Sequence, residues 1–236
     1  MNAGNLGNLI ASPIRPPESY SIGSQLHRIL RTAIIQGEIA PGQSISEVEI
    51  SKKFSVSRQP VREAFIKLSE ERLIEVLPQR GTYVRKISIK EVLDACYLRE
   101  IIEVAIVREV AANPSAQLIA ELRELIVAQS AVGCCDSKAF HSLDEDLHRA
   151  LALYAGREYA WRIAEGIKSQ MNRVRFLSIE STTPAKETIA EHAAIVDAIA
   201  AKNPDLAAAQ MTQHLRKVID TLPKVAERHP EHFAPE

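Results

Sequence analysis

Early in the chain, apolar residues recur at helical spacing, and that spacing breaks twice before it gives way to alternation. Ile22, Leu26, Ile29, Leu30, Ala33 and Ile34 trace one stripe, which stops at "QGEIAPGQ", where Gly37, Pro41 and Gly42 punctuate the chain. "SEVE" reads as a capping box, with Ser46 as N-cap and Glu49 three residues on, opening a short helix through Phe54. After a tight "FSVS" connection comes "VSRQPVREAFIKL", in which Val61, Ala64, Phe65 and Leu68 sit at i, i+3, i+4 and i+7. That spacing predicts a helix with one buried face, capped by Ser57, with Pro60 tolerated in its first turn. "LIEVLPQRGTYVRKI" then predicts strand, Pro/Gly turn, strand.

From Ser88 onward the pattern is helical throughout. Six segments are expected, at about 89–112, 115–131, 137–154, 157–179, 184–201 and 204–227, and "NPSA" and "KNPDL" mark two of their starts. The expected organisation is a flexible tail over 1–18, a winged helix-turn-helix over 19–86, an all-helical domain over 87–228 and a C-terminal tail over 229–236. The fold class is mainly α: a small β-hairpin wing in front, and an antiparallel helical bundle behind.

Composition narrows this little. A chain that is 46% hydrophobic and 25% charged is ordinary for a globular protein. No apolar run approaches the ~20 residues that span a bilayer, and no signal-peptide pattern opens the chain, so a cytoplasmic protein is expected. Three cysteines make no disulfide framework. The adjacent Cys134 and Cys135 read as two free thiols in a loop, with a redox pair as the minor alternative. Charge is more telling. Residues 19–86 hold 11 Lys/Arg against 7 Asp/Glu, whereas residues 87–236 hold 17 against 22, so a polyanion partner belongs at the front.

A helix-turn-helix followed by a β-hairpin is the arrangement that sets its third helix in a major groove of double-stranded DNA. Arg58 and Arg62, at i and i+4, lie on the face opposite the apolar stripe, where they can meet phosphates or chelate guanine. Gln59 can pair with adenine, and Ser57 can donate to a phosphate at the positive end of the helix dipole. In the wing, Gln79 and Arg80 form the tip, and Gly81 lets backbone approach the duplex. Taken alone, the two arginines fit a solvated helix face equally well; the helix order and the basic tip favour DNA.

Behind, the informative histidines are His148, His192 and His214. Asp144 and His148 are four apart in "LDEDLHRAL" and share a helix face. His192 and His214 each border an apolar stripe. Any one of them is ordinarily a helix-border residue bonded to a neighbour. Together the three histidines and one carboxylate are the ligand types of a divalent transition metal such as Zn²⁺ or Ni²⁺.

Residues 37–84, with the "PG" turn, "SEVE", "VSRQPVREA" and "RGTYV", resemble the DNA-binding domain of the GntR superfamily of bacterial regulators. The resemblance implies that Ser57, Arg58, Gln59, Arg62 and Gly81 lie at the DNA. Some members carry a DNA-contacting arginine where this chain has Val48, so operator preference does not transfer. Residues 91–222 resemble the helical effector domain, called FCD, of the FadR subfamily. Its metal-binding pattern is matched by Asp144 with His148, by Glu191-His192 and by His214-Leu215, with Leu147 standing for the usual Phe. Arg99 matches an arginine that often faces the effector cavity, where it would pair with a carboxylate; its plainer role is a surface salt bridge with Glu103. Asn172 and Arg175 are further candidates for that pocket, against a solvated face as the ordinary reading.

The resemblance implies a homodimeric regulator, usually a repressor, on a palindromic operator, responding to a small organic acid, by analogy a sugar acid. A structural or signalling metal is the alternative. A metalloenzyme is disfavoured because no general base or nucleophile stands beside the four ligands.

Overall fold

The computed structural model describes residues 20–133, 135–179 and 185–235. The expected N-terminal tail and Cys134 lie outside them. Contacts divide the described chain into two units: one runs to Ile89 and takes in the chain again from His229, and the other is Lys90–Arg228.

In the first unit, α1 (Ile22–Ile35), α2 (Glu47–Phe54) and α3 (Arg58–Glu70) precede a sheet of β1 (Ser44–Ile45), β2 (Ile74–Leu77) and β3 (Gly81–Val84). The sheet order is β1-β3-β2, antiparallel, with Leu77 opposite Gly81 and Ile45 opposite Thr82. β1 is a strand the alternation did not signal, because two residues carry no period; it exists by pairing with β3. The stripes predicted on α1 and α3 pack on each other, burying Leu26, Leu30, Val61, Ala64 and Leu68. A second device joins these helices: Glu71, just past α3, accepts from Arg31 Nε at 2.6 Å and lies 2.7 Å from His27 Nε2.

Ser46 caps α2 as expected, but its hydroxyl accepts from the Val48 N–H. Ser57 occupies the N-cap of α3 in an extended conformation and makes no side-chain cap bond. The wing turn needs two left-handed residues, Gln79 at φ 59° and Gly81 at φ 106°.

The chain from His229 is not a loose tail. Pro230–His232 form a 3₁₀ turn, and Phe233 makes a parallel bridge with Ile87: Ile87 N–H donates to His232 O and Ala234 N–H to Ile87 O, both at 2.9 Å. Phe233 and Ile87 are both buried.

The second unit holds seven helices among the described residues: most of α4 (Ile89–Ala112), then α5 (Ala116–Val132), α6 (Ser137–Tyr154), α7 (Glu158–Ile167), α8 (Ser169–Ile179), α9 (Ala185–Ala200) and α10 (Pro204–Arg228). The single helix expected over 157–179 is two. The break is at Lys168, whose buried ammonium ion-pairs with Glu145 on α6 and stands 4.2 Å above the Trp161 ring. α8 is buried on nearly every side despite Ser169, Gln170, Asn172, Arg173 and Arg175. Apolar residues of α4, α5, α6, α9 and α10, Val107, Leu122, Leu147, Ile195 and Met211 among them, form the surrounding core.

Candidate metal centre and nucleic-acid interface

Asp144 and His148 reach inward from successive turns of α6, His192 from α9 and His214 from α10. All four are buried, and one donor atom from each lies within 4.8 Å of the others. His148 Nε2 is 3.2 Å from His214 Nε2, and His192 Nε2 is 3.5 Å from Asp144 Oδ1. Two nitrogens held at about 2.0–2.1 Å around a tetrahedral ion stand about 3.3 Å apart, so the spacing suits shared coordination.

The opposite ring nitrogens each lie beside a side-chain oxygen, in a hydrogen bond at His192 and His214 and in an ion-pair contact without hydrogen-bond alignment at His148. His148 Nδ1 lies 2.6 Å from Glu103 Oε2, His192 Nδ1 2.8 Å from Gln129 Oε1 and His214 Nδ1 3.0 Å from Glu191 Oε2. At His192 and His214 an acceptor on Nδ1 favours the proton there and leaves the Nε2 lone pair facing the centre. His192 Nε2 and Asp144 Oδ1 are buried with no hydrogen-bond partner, an arrangement that is costly unless something else binds them.

Charge is arranged to match. Burial works to raise the Asp144 carboxyl, but the Arg175 guanidinium overrides it, and the carboxyl sits well below the usual carboxylate range. Burial, helped by neighbouring His214, holds His192 well below the ordinary imidazole range, and burial lowers His214 as well. Neutral His192 and His214 beside an ionised Asp144 are protonation states that metal ligation requires. The four residues therefore fit a divalent transition metal.

A cavity of about 50 Å³ adjoins Asp144 and His214, and Arg99, Arg175, Lys217 and Ser178 also line it. Arg99 does pair with Glu103, at 2.5 Å, but the pair is buried rather than on the surface, on the inward face of α4. Burial opposes the Arg99 charge, yet Glu103, Glu145 and Asp144 raise it above the usual guanidinium range. Arg175 is buried, not on a solvated face, and ion-pairs with Asp144 and with Glu145. Asn172 is buried too, with Oδ1 unpartnered, but does not line the cavity.

Three contributors escaped sequence reasoning: Glu103, Gln129 and Glu191 as the Nδ1 acceptors. Gln129 left a signal, being a polar residue on the stripe of Leu118, Leu122 and Leu125. Glu191 shows in the sequence only as the neighbour of His192.

On the first unit, Ser57, Arg58, Gln59 and Arg62 are all exposed at the start of α3. Gln59 donates to Glu63 at 3.3 Å, and Arg62 Nε donates to Glu47 on α2 at 3.0 Å. Gln79, Arg80 and Gly81 are exposed at the wing tip, where Tyr83 Oη donates to the Arg80 carbonyl at 2.8 Å.

Comparison with known proteins decides the family. Residues 22–84 match the model of bacterial regulatory proteins of the gntR family, and residues 94–217 match the FCD domain. An HTH-type transcriptional repressor of Escherichia coli K12, RspR, is 35% identical over 216 residues, covering 91% of this chain and 95% of that protein. The chain belongs to the GntR family. This GntR regulator also shares its fold with E. coli McbR/YncC, at a TM-score of 0.74 and 19% identity over 87% of this chain and 98% of that one. A GntR transcriptional regulator from Rhodococcus sp. RHA1 aligns at a TM-score of 0.66 and 28% identity, over 88% and 99%. A GntR protein of this kind is a DNA-binding transcriptional regulator and not an enzyme.

Proposed function

We propose that this regulator is a cytoplasmic repressor that binds a palindromic operator as a homodimer and senses a small carboxylate at a metal site in its FCD domain. The observation that carries this reading is the convergence of His148, His192 and His214 Nε2 with Asp144 Oδ1 beside a cavity lined by two arginines. Asp144, His148, His192 and His214 would hold the metal. A metal there supplies a positive centre for a carboxylate oxygen. Arg99 and Arg175 add guanidinium donors of the kind that grip carboxylates in pairs.

The cavity bounds the effector. At about 50 Å³ it takes an acid of only a few heavy atoms, and a six-carbon sugar acid requires it to widen. For the acid to regulate, it must favour one arrangement of the DNA-binding units over another. Ser57, Arg58, Gln59, Arg62 and the wing residues Gln79, Arg80 and Gly81 would meet the operator.

One observation favours a second reading. All four ligands are buried and come from three helices, as in a closed structural site, so the metal would stabilise the fold rather than report on it.

The test is elemental analysis of untagged protein purified without chelator, for wild type and His192→Ala, followed by operator binding with metal removed and restored. About one metal per chain, lost in the variant, supports the site. Operator affinity that shifts with small acids only in the metal-loaded protein supports sensing. Stability that changes with metal while operator affinity stays fixed supports the structural reading. Metal-free wild type would sink the site altogether.

A further inference from the structure

Arg99 and Glu103 stand one turn apart on α4, exposed by only 2% and 4%. The two oxygens of Glu103 serve different partners. Oε1 accepts from Arg99 Nε at 2.5 Å, and Oε2 lies 2.6 Å from His148 Nδ1 as an ion-pair contact that is not aligned as a hydrogen bond. His148 presents its other nitrogen to the candidate metal centre, while Arg99 lines the cavity. Arg99 Nη2 is buried and has no hydrogen-bond partner, so it is a donor awaiting an acceptor.

We propose that Glu103 is a positioning residue that sets the metal ligand His148 and the anion-binding guanidinium of Arg99 with one carboxylate, tying the metal and acid sites together. The inference rests on the reading of that site given under Proposed function. Its logic is geometric. Holding Nε fixes the plane of the guanidinium and hence the direction of Nη2, and holding Nδ1 fixes the imidazole ring and its tautomer. A carboxylate has acceptors on both oxygens, which two donors on opposite sides require. An amide has one acceptor and turns an N–H toward the other partner. An aspartate is shorter by one methylene and cannot span the same two partners.

Gln129 is the contrast. It lies 2.8 Å from His192 Nδ1 and donates to the Leu143 carbonyl, and it does not line the cavity. Both residues orient a histidine, but only Glu103 also orients an anion hook.

The experiment uses the full chain, stripped of metal, in wild type, Glu103→Gln, Gln129→Leu and Arg99→Lys. Zinc affinity is read by competition with a fluorescent chelator. Carboxylate binding to the metal-free protein is read from NMR line broadening of isotope-labelled formate, and circular dichroism checks the fold. Glu103→Gln is expected to weaken zinc by roughly tenfold or more, the usual cost of losing an outer partner of a ligating histidine. It should also weaken formate binding severalfold. Gln129→Leu should weaken zinc alone, and Arg99→Lys should weaken formate alone. Should Glu103→Gln not fold, Glu103→Asp is read in the same way.

A Glu103 variant that keeps both affinities, or that loses only one of them, overturns the shared role and leaves the metal site standing. Wild type that takes up no zinc overturns the site itself, and the proposal with it.

Discussion

His148 Nε2 and His214 Nε2 face each other across 3.2 Å although the residues lie 66 positions apart. Glu191 on His214 Nδ1 and Glu103 beside His148 Nδ1 favour protons on those atoms, and with both protons there the two Nε2 lone pairs point into the same space and repel. A bound cation turns that repulsion into attraction, so metal removal is expected to cost stability. Chelation should lower the melting temperature by about 4 °C or more, equivalent to at least about 1 kcal/mol, and added zinc should restore it. In His148→Ala the melting temperature should no longer respond to chelator. An unchanged melting curve in the chelated wild type would count against a metal.

Arg62 is tethered to Glu47 at 3.0 Å, but the pair is exposed, and exposed pairs contribute little to stability. The arginine is therefore free to exchange Glu47 for DNA at small cost. Arg62→Ala should lower operator affinity by about tenfold while leaving the melting temperature nearly unchanged. If the contact is to phosphate, the log–log salt slope should flatten by about one unit. Filter binding or anisotropy across a salt series measures both. An unaltered affinity and slope would remove α3 from the DNA interface.

These two sites were legible to different degrees, for physical reasons. The stripes of α1 and α3 and the Pro/Gly turn of the wing are local signals, so the winged unit could be read almost whole. The candidate ligands Asp144, His148, His192 and His214 were readable as residue types at stripe borders, but their meeting depends on the packing of α6, α9 and α10, which no local pattern encodes. α8 misled most. Its Asn172 and Arg175 read as a solvated face, yet Asp144 and Glu145 let Arg175 be buried. The break at Lys168 was equally invisible, because it is stabilised by Glu145 on another helix and by the face of Trp161 two turns earlier, contacts that no apolar period encodes.

Glu71 predicts how the winged unit responds to acid. Burial raises its carboxyl, but His27 and Arg31 outweigh that and lower it from the ordinary 4.5. A carboxyl lowered on folding adds stability above about pH 4.5, and that stability fades as the pH falls toward and through the depressed value. Glu71→Gln should therefore cost about 1 kcal/mol at neutral pH, and the difference from wild type should shrink below pH 4.5. Denaturant melts at pH 7 and pH 4 test this. A difference independent of pH would mean that the ion pair is not the source.

Phe233 leads to the last expectation, because its contacts lie in the segment that sequence alone marks only as a C-terminal tail. The Ile87–Phe233 bridge falls three residues after Val84, the end of wing strand β3, and two before α4 begins at Ile89. The ring is 6% exposed, and two backbone hydrogen bonds flank it. Phe233→Ala is expected to cost up to about 3 kcal/mol, the lower end for a buried phenylalanine, because a site near a chain end can collapse into the space. Removing residues 230–236 should cost at least as much, since the Ile87 N–H and C=O both lose their partners. Ile87 amide exchange should accelerate in both variants, whereas exchange in the α1–α3 core, anchored by Leu30 and Leu68, should keep its order of protection. Ile87 protection equal to wild type after truncation would show that residues 230–234 do not hold the strand exit of the wing.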